Sequence, residues 1–162
     1  MQNTLIRAIS GGLRGRYTHL DPQKVIVGLT PDNARKKPQN VPHSCWELLH
    51  HTIVWHDTFL KHIKGESPNW GEVEETINWP KQEDMENNFE FETLLTRFRT
   101  RFDETLELLN TVDFAQIPIG KPELSTIQLF AALLQHMSYH LGQMVTIRQC
   151  IGDWPPKQST DI

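Results

Sequence analysis

His136-Met137-Ser138-Tyr139-His140 places two imidazoles four residues apart, inside a segment from Ser125 to Cys150 that reads as helix almost throughout. Residues at that spacing stand one above the other on one helix face. Two rings held that way can offer nitrogens to a single divalent cation, and imidazole suits zinc, nickel, iron and copper. A mononuclear site needs a third protein ligand, and His50-His51 is the upstream candidate. The pair by itself also fits two core histidines hydrogen-bonded to backbone or to Gln143.

The elements that must position these residues are helices; no convincing strand is present. The first region is broken. Thr4 to Ser10 is a short helical stretch stopping at Gly11-Gly12, and a loop follows from Leu13 to Leu20. Asp21-Pro22 reads as an N-cap with proline at the first helical position. That helix should end near Gly28, with Thr30-Pro31 opening another turn or two up to Lys36. A second substantial helix starts at Ser44, where Ser44-Cys45-Trp46-Glu47 forms a capping box, and runs to about Ile63 before Gly65. Gly71 to Asp84 is acidic and is expected to be an ordered loop carrying Trp79 and Pro80. A third helix from about Met85 to Thr111 has Phe91, Leu94, Leu95, Phe98, Phe102, Leu106 and Leu109 at helical spacing. Ile117 to Pro122 is a linker, since its prolines exclude helix. Ser125-Thr126-Ile127-Gln128 caps the last helix, which ends near Gly152.

These segments predict an all-α four-helix bundle with a broken N-terminal helical region and long connections. Residues 1–156 form one domain in this reading, and 157–162 a polar tail. Sites in such bundles are built in the core from facing helices.

Helical periodicity then sorts the histidines. On the last helix the inward stripe is Leu129, Leu133, His136, His140, Gln143, Met144 and Ile147, so both imidazoles take positions where a bundle keeps leucine. Buried imidazoles need partners, and a shared cation is one solution. On the second helix the stripe Leu48, His51, Trp55, Phe59 turns His51 inward, whereas His50 lies on a mostly polar row. His56 is a weaker alternative. His62 lies two to three turns beyond His51, too far along the axis to share its ion, and reads as a boundary residue. Cys150, about 15 Å beyond His140 along the axis and on another face, cannot complete the set, and Cys45 is also badly placed. Glu47 is a candidate second-layer acceptor or general base, although its capping role already explains it. Gln143 is a candidate for orienting a ring or a bound water. For each of the two a structural role is the alternative.

Composition narrows the function classes. At 162 residues with net charge −4, the chain has no broad basic footprint for nucleic acid. Arg14/Arg16 and Arg35-Lys36-Lys37 read as solvated charge. Two cysteines without a CxxC, no signal-peptide core and no long apolar run make a reducing cytoplasm the expected compartment.

Pro42 to His51, Gln135 to Met144 and the closing Gly152-Asp153-Trp154-Pro155-Pro156 resemble the DinB / YfiT-like superfamily of metal-binding four-helix bundles. The likeness spans essentially the whole chain, including the Gly28-Leu29-Thr30-Pro31 turn. It puts the family's ligand histidines on His51, His136 and His140. The resemblance implies a divalent ion, often zinc or nickel, on three histidines with water in the remaining positions. Relatives include thiol-dependent S-transferases that use bacillithiol or mycothiol, and a thiol-dependent maleylpyruvate isomerase. It therefore implies a small-molecule substrate and a low-molecular-weight thiol as a further cofactor. Metal-dependent hydrolysis is a related expectation, and a non-catalytic metal-binding or stress-response interaction bundle is the alternative. Relatives often form dimers, which the aromatics Trp70 and Trp79 could serve, or those residues could cap the bundle. The loop from Leu13 to Leu20, with Arg14, Arg16, Tyr17 and His19, is placed by its position either over the site or as an ordinary polar connection.

Overall fold

A computed structural model describes residues 2–16, 18–119 and 123–156. The described residues are all-helical, as expected. The helices are α1 (Gln2–Leu13), α2 (Pro22–Val25), α3 (Pro31–Ala34), α4 (Cys45–Ile63), α5 (Trp70–Thr76), α6 (Asn88–Leu108) and α7 (Thr126–Cys150). A single 3-10 turn, Asp84–Glu86, precedes α6. None of the helices is long and apolar enough to cross a membrane.

The capping chemistry sets most of the boundaries. The Ser44 hydroxyl takes the Glu47 amide at 3.3 Å while Glu47 Oε2 accepts the Ser44 amide at 2.6 Å, which starts α4. Gln128 Oε1 accepts the Ser125 amide at 2.9 Å and starts α7. Asp21 caps α2 through the Gln23 amide, with Pro22 in the first turn. Gly28, at φ 76°, then takes the left-handed conformation that ends this short segment.

Three expectations need correction. The first helix does not stop at Gly11-Gly12 but continues through both to Leu13. Ile9 and Leu13 are buried in the core, and a Cβ on Gly12 would stand 3.0 Å from Leu134 Cδ1. The glycines therefore let α1 lie close on α7, and burial outweighs their low helix propensity. The acidic stretch after Gly65 is not simply a loop, since Asn69 caps α5 by accepting the Glu72 amide. What holds α5 is Trp70, whose ring meets Trp55 at 5.6 Å and Phe59 at 5.2 Å. The third long helix is also shorter than expected, since Asn87 caps it at Asn88 and it ends at Leu108.

α4 is the central helix, packed on both α7 and α6, with α1 and α2 against α7. Trp46, Phe91, Phe98, Phe102 and Phe130 are fully buried between them. Asp57 of α4 pairs with Arg97 and Arg101 of α6, and Lys64 pairs with Glu104, which fixes the α4–α6 register from outside. The Ile117 to Pro122 linker is non-helical over 117–119, and its last three residues lie outside the described ones, as does the 157–162 tail.

Candidate metal centre

His51 on α4 and His136 and His140 on α7 come together where the two helices face each other. One ring nitrogen of each lies within 4.8 Å of the other two. Ring centroids are 5.0 Å apart for His51–His136, 4.5 Å for His51–His140 and 4.4 Å for His136–His140. His51 Nε2 and His136 Nε2 are 3.1 Å apart. Two nitrogens each ~2.0–2.1 Å from one ion, at a tetrahedral or octahedral angle, stand about 2.8–3.4 Å apart. The observed spacing suits a shared cation.

Burial sets the charge state. It lowers His51 to about 4, helped by His140 and opposed by Asn78. It lowers His136 to about 3, with His140 and His51 adding to the effect. His140 is lowered by burial too, with Gln143 pulling the other way. All three rings are thus neutral near pH 7, the state in which imidazole donates a lone pair. His136 Nδ1 is buried without a partner. The Nε2 atoms of His51 and His136 face each other at 3.1 Å, where two neutral rings can share only one hydrogen, and a cation between them would use both lone pairs at once.

Gln143 fixes one of the rings. Its Oε1 lies 2.7 Å from His140 Nδ1, and a carbonyl oxygen only accepts, so Nδ1 carries the hydrogen and Nε2 keeps its lone pair. Hydrogen-bonding a ligating ring through its other nitrogen is the usual way to hold its tautomer. The orienting role considered for Gln143 is the contact found. Glu47 is elsewhere: it caps α4, pairs with Lys37 at 3.1 Å, and stands 4.0 Å from His43 Nδ1. Nothing brings it to the three histidines.

The inward stripe of α7 differs in detail from the expected one. Met137 and Leu141 are buried with Leu129, Leu133, Met144 and Ile147, while His136 and Gln143 are half-buried. The histidines therefore sit at the edge of the core. The other imidazoles have separate structural partners. His50 Nε2 meets the Ile77 carbonyl at 3.0 Å, and His56 Nε2 meets Thr105 Oγ1 at 2.6 Å. His62, expected at a helix-end boundary, is instead buried, with Nδ1 accepting from Trp70 Nε1 at 2.8 Å. Cys45 and Cys150 are free thiols, the first buried and the second exposed.

Sequence reasoning missed the segment that covers the site. Trp79 is sandwiched between two imidazoles, His43 at 3.8 Å and 5° and His51 at 4.4 Å and 14°. Asn78 Oδ1 accepts from Trp55 Nε1 at 2.8 Å, and the Ile77 carbonyl takes the His50 contact. Three consecutive residues thus tie the connection after α5 over the histidine row of α4. The loop before α2 lies elsewhere. His19 Nε2 bonds Ser138 Oγ at 2.8 Å, and Ser138 projects roughly 160–200° round α7 from His136 and His140. Arg14 and Arg16 are exposed, and Tyr17 lies outside the described residues. The described part of that loop, anchored by His19, flanks α7 on its far side rather than covering the histidines.

The family model of the DinB superfamily matches residues 21–144, a span that contains all three histidines. The chain belongs to the DinB superfamily. No curated protein and no solved structure matches it. Within this DinB-superfamily protein, then, a three-histidine cluster able to hold a metal ion is in place.

Proposed function

We propose that this DinB-superfamily protein is a metal-dependent enzyme in which His51, His136 and His140 hold a divalent ion, zinc or nickel, and which joins a low-molecular-weight thiol to an electrophilic small molecule. The observation that carries this reading is the convergence of three neutral imidazoles with no carboxylate in the cluster among the described residues. Neutral ligands leave the charge of a dication uncompensated, which favours an anion as an additional ligand. A divalent ion in such a site supplies Lewis acidity, lowering the pKa of a thiol or of water.

The chain's own residues do the positioning. Gln143 holds the His140 ring with Nε2 free. Trp79 packs flat on His51 and keeps water from that face of the ring. Asn78, anchored by Trp55, keeps the covering segment in place. In the overall transfer a carbon–sulfur bond forms, the thiol proton is released, and the electrophile's leaving group departs with its bonding electrons. A reducing cytoplasm is the natural setting, with both cysteines kept as thiols.

The test is metal analysis of untagged protein beside a His136→Ala variant, followed by turnover of an aryl halide with and without bacillithiol or mycothiol. The reading expects about one zinc or nickel per chain in the parent, little in the variant, and turnover only with thiol. Equal metal content in both proteins overturns the ligand assignment. Turnover with water alone transfers the proposal to hydrolysis.

A further inference from the structure

A cavity of about 460 Å³ opens between α7 and the chain just before α4, with Gln143 in its wall. Its walls are apolar, formed by Val41, Pro42, Leu48 and Ile147. Its polar residues are few: His43, Tyr139, Gln143 and Thr146, the last with its hydroxyl donated to the Gly142 carbonyl. That volume and that ratio of apolar wall to placed polar groups are those of small-molecule sites, which run roughly 300–1,000 Å³.

Gly142 lines the same cavity and has no structural reason to be glycine. It sits inside α7, where glycine weakens a helix relative to alanine. Its φ is not positive. A Cβ built on it would meet nothing within 4 Å. Gly12, by contrast, is needed for the approach of Leu134 at 3.0 Å. What the missing side chain of Gly142 provides is open space against the α7 backbone, one residue from Gln143.

Gln143 joins this space to the histidines. Its Oε1 is committed to His140 Nδ1, whereas its Nε2 has only a long 3.5 Å contact to the Tyr139 hydroxyl. An amide nitrogen carries two donors, so Gln143 retains hydrogen-bonding capacity toward a ligand. On the far wall His43 is held by its stack on Trp79, the ring that also covers His51.

We infer that this cavity is a small-molecule site beside the metal centre and takes a small aryl or alkyl compound bearing one hydrogen-bond acceptor, its apolar body against Gly142 and its acceptor on the Gln143 amide. Its coupling to the metal centre, through Gln143 and His140, rests on the metal-centre reading above; the cavity's ligand class rests on its own lining. Gln143 then links the two, since a ligand that pulls on its Nε2 also moves the partner of His140.

Zinc-loaded protein titrated with acetophenone, followed by amide NMR, tests this. Acetophenone has the apolar ring and one carbonyl acceptor; acetone has the acceptor alone. Saturable shifts are expected at the Gly142 backbone and the Gln143 side-chain amide with acetophenone, and none at matching concentrations of acetone. The Cβ in Gly142→Leu meets nothing within 4 Å, so zinc content and melting temperature should be retained or raised while acetophenone binding weakens about tenfold or more. Equal binding to the parent and to Gly142→Leu overturns the site. Gly142 also lines a separate cavity of about 280 Å³ beside His19, so shifts centred on Ser138 and Val145 with none at the Gln143 side chain overturn it as well. Failure of the parent to hold zinc or nickel instead overturns the metal-centre reading, and the Gly142→Leu comparison on the metal-free protein still decides the ligand class.

Discussion

Arg148 is the most consequential charge in the fold, and replacing Asp153 by alanine should cost the protein heavily. The guanidinium is fully buried. Its Nε and Nη2 each lie 3.0 Å from Asp153 Oδ2, and its Nη1 donates to the Val25 and Val27 carbonyls at 2.6 and 2.8 Å. The Trp154 ring lies 5.1 Å from its central carbon. Asn33 Nδ2 also donates to Asp153 Oδ2, at 3.2 Å. One carboxylate thus ties the end of α7 to the α2–α3 turn. Breaking a buried pair by deleting one partner costs about 3–5 kcal/mol, because the remaining charge stays buried and uncompensated. The Asp153 side chain is 28% exposed, so water can replace part of the carboxylate and the loss should fall near the lower end, about 3 kcal/mol. For a chain of this size each kcal/mol moves the melting temperature by about 2–4 °C, giving a drop of about 6–12 °C. Urea unfolding followed by circular dichroism measures the free energy, and a thermal melt the shift. A second variant, Arg148→Met with Asp153→Ala, removes the stranded charge and should recover about 1–2 kcal/mol, though the two valine carbonyls lose their donor. A loss under about 1 kcal/mol in Asp153→Ala, the range of exposed pairs, would refute the reasoning.

His56 makes the protein acid-sensitive independently of any metal. Thr105 Oγ1 donates to the Arg101 carbonyl, so it accepts from His56 Nε2–H, leaving Nδ1 unprotonated and buried without a partner. Burial lowers this histidine to about 4, below the unfolded value of 6.5. The unfolded chain therefore takes up a proton first: the stability is complete above pH 6.5 and is lost as pH falls toward 4. The loss from this group between pH 7 and 5 is about 2 kcal/mol, and urea midpoints of His56→Gln should fall less steeply over that window. Parallel pH dependences in the two proteins would count against it. If the metal-centre reading holds, Gln143→Ala frees the His140 ring and should weaken zinc binding about 10–100-fold in a competition titration with a chelator. Gly15→Ala should destabilise by about 2 kcal/mol or more, since φ is +70° and a Cβ would stand 2.3 Å from the His19 carbonyl oxygen. Its NMR signature would be loss of the His19–Ser138 contact.

The sequence by itself determined the helices with strong local signals. The Ser44–Glu47 box, the Asp21-Pro22 start and the heptad-like aromatic stripe of α6 are decided within a turn or two of the chain, where capping and periodicity act. The same periodicity chose His51 over His50, since the two differ by 100° around α4. Where tertiary packing competes with local preference the sequence was ambiguous. Gly11 and Gly12 read as a stop, but the contact with Leu134 makes them part of α1. The stretch after Gly65 lacks an apolar period, and α5 is held by tertiary contacts of Trp70 with Trp55, Phe59 and His62. The spacing of His136 and His140 fixed a shared helix face, because that follows from 3.6 residues per turn. That His51 arrives opposite them, that Trp79 lies flat on it, and that the space over Gly142 stays open depend on how α4, α7 and the covering segment dock. Those contacts join residues far apart in the chain, and no local pattern encodes them.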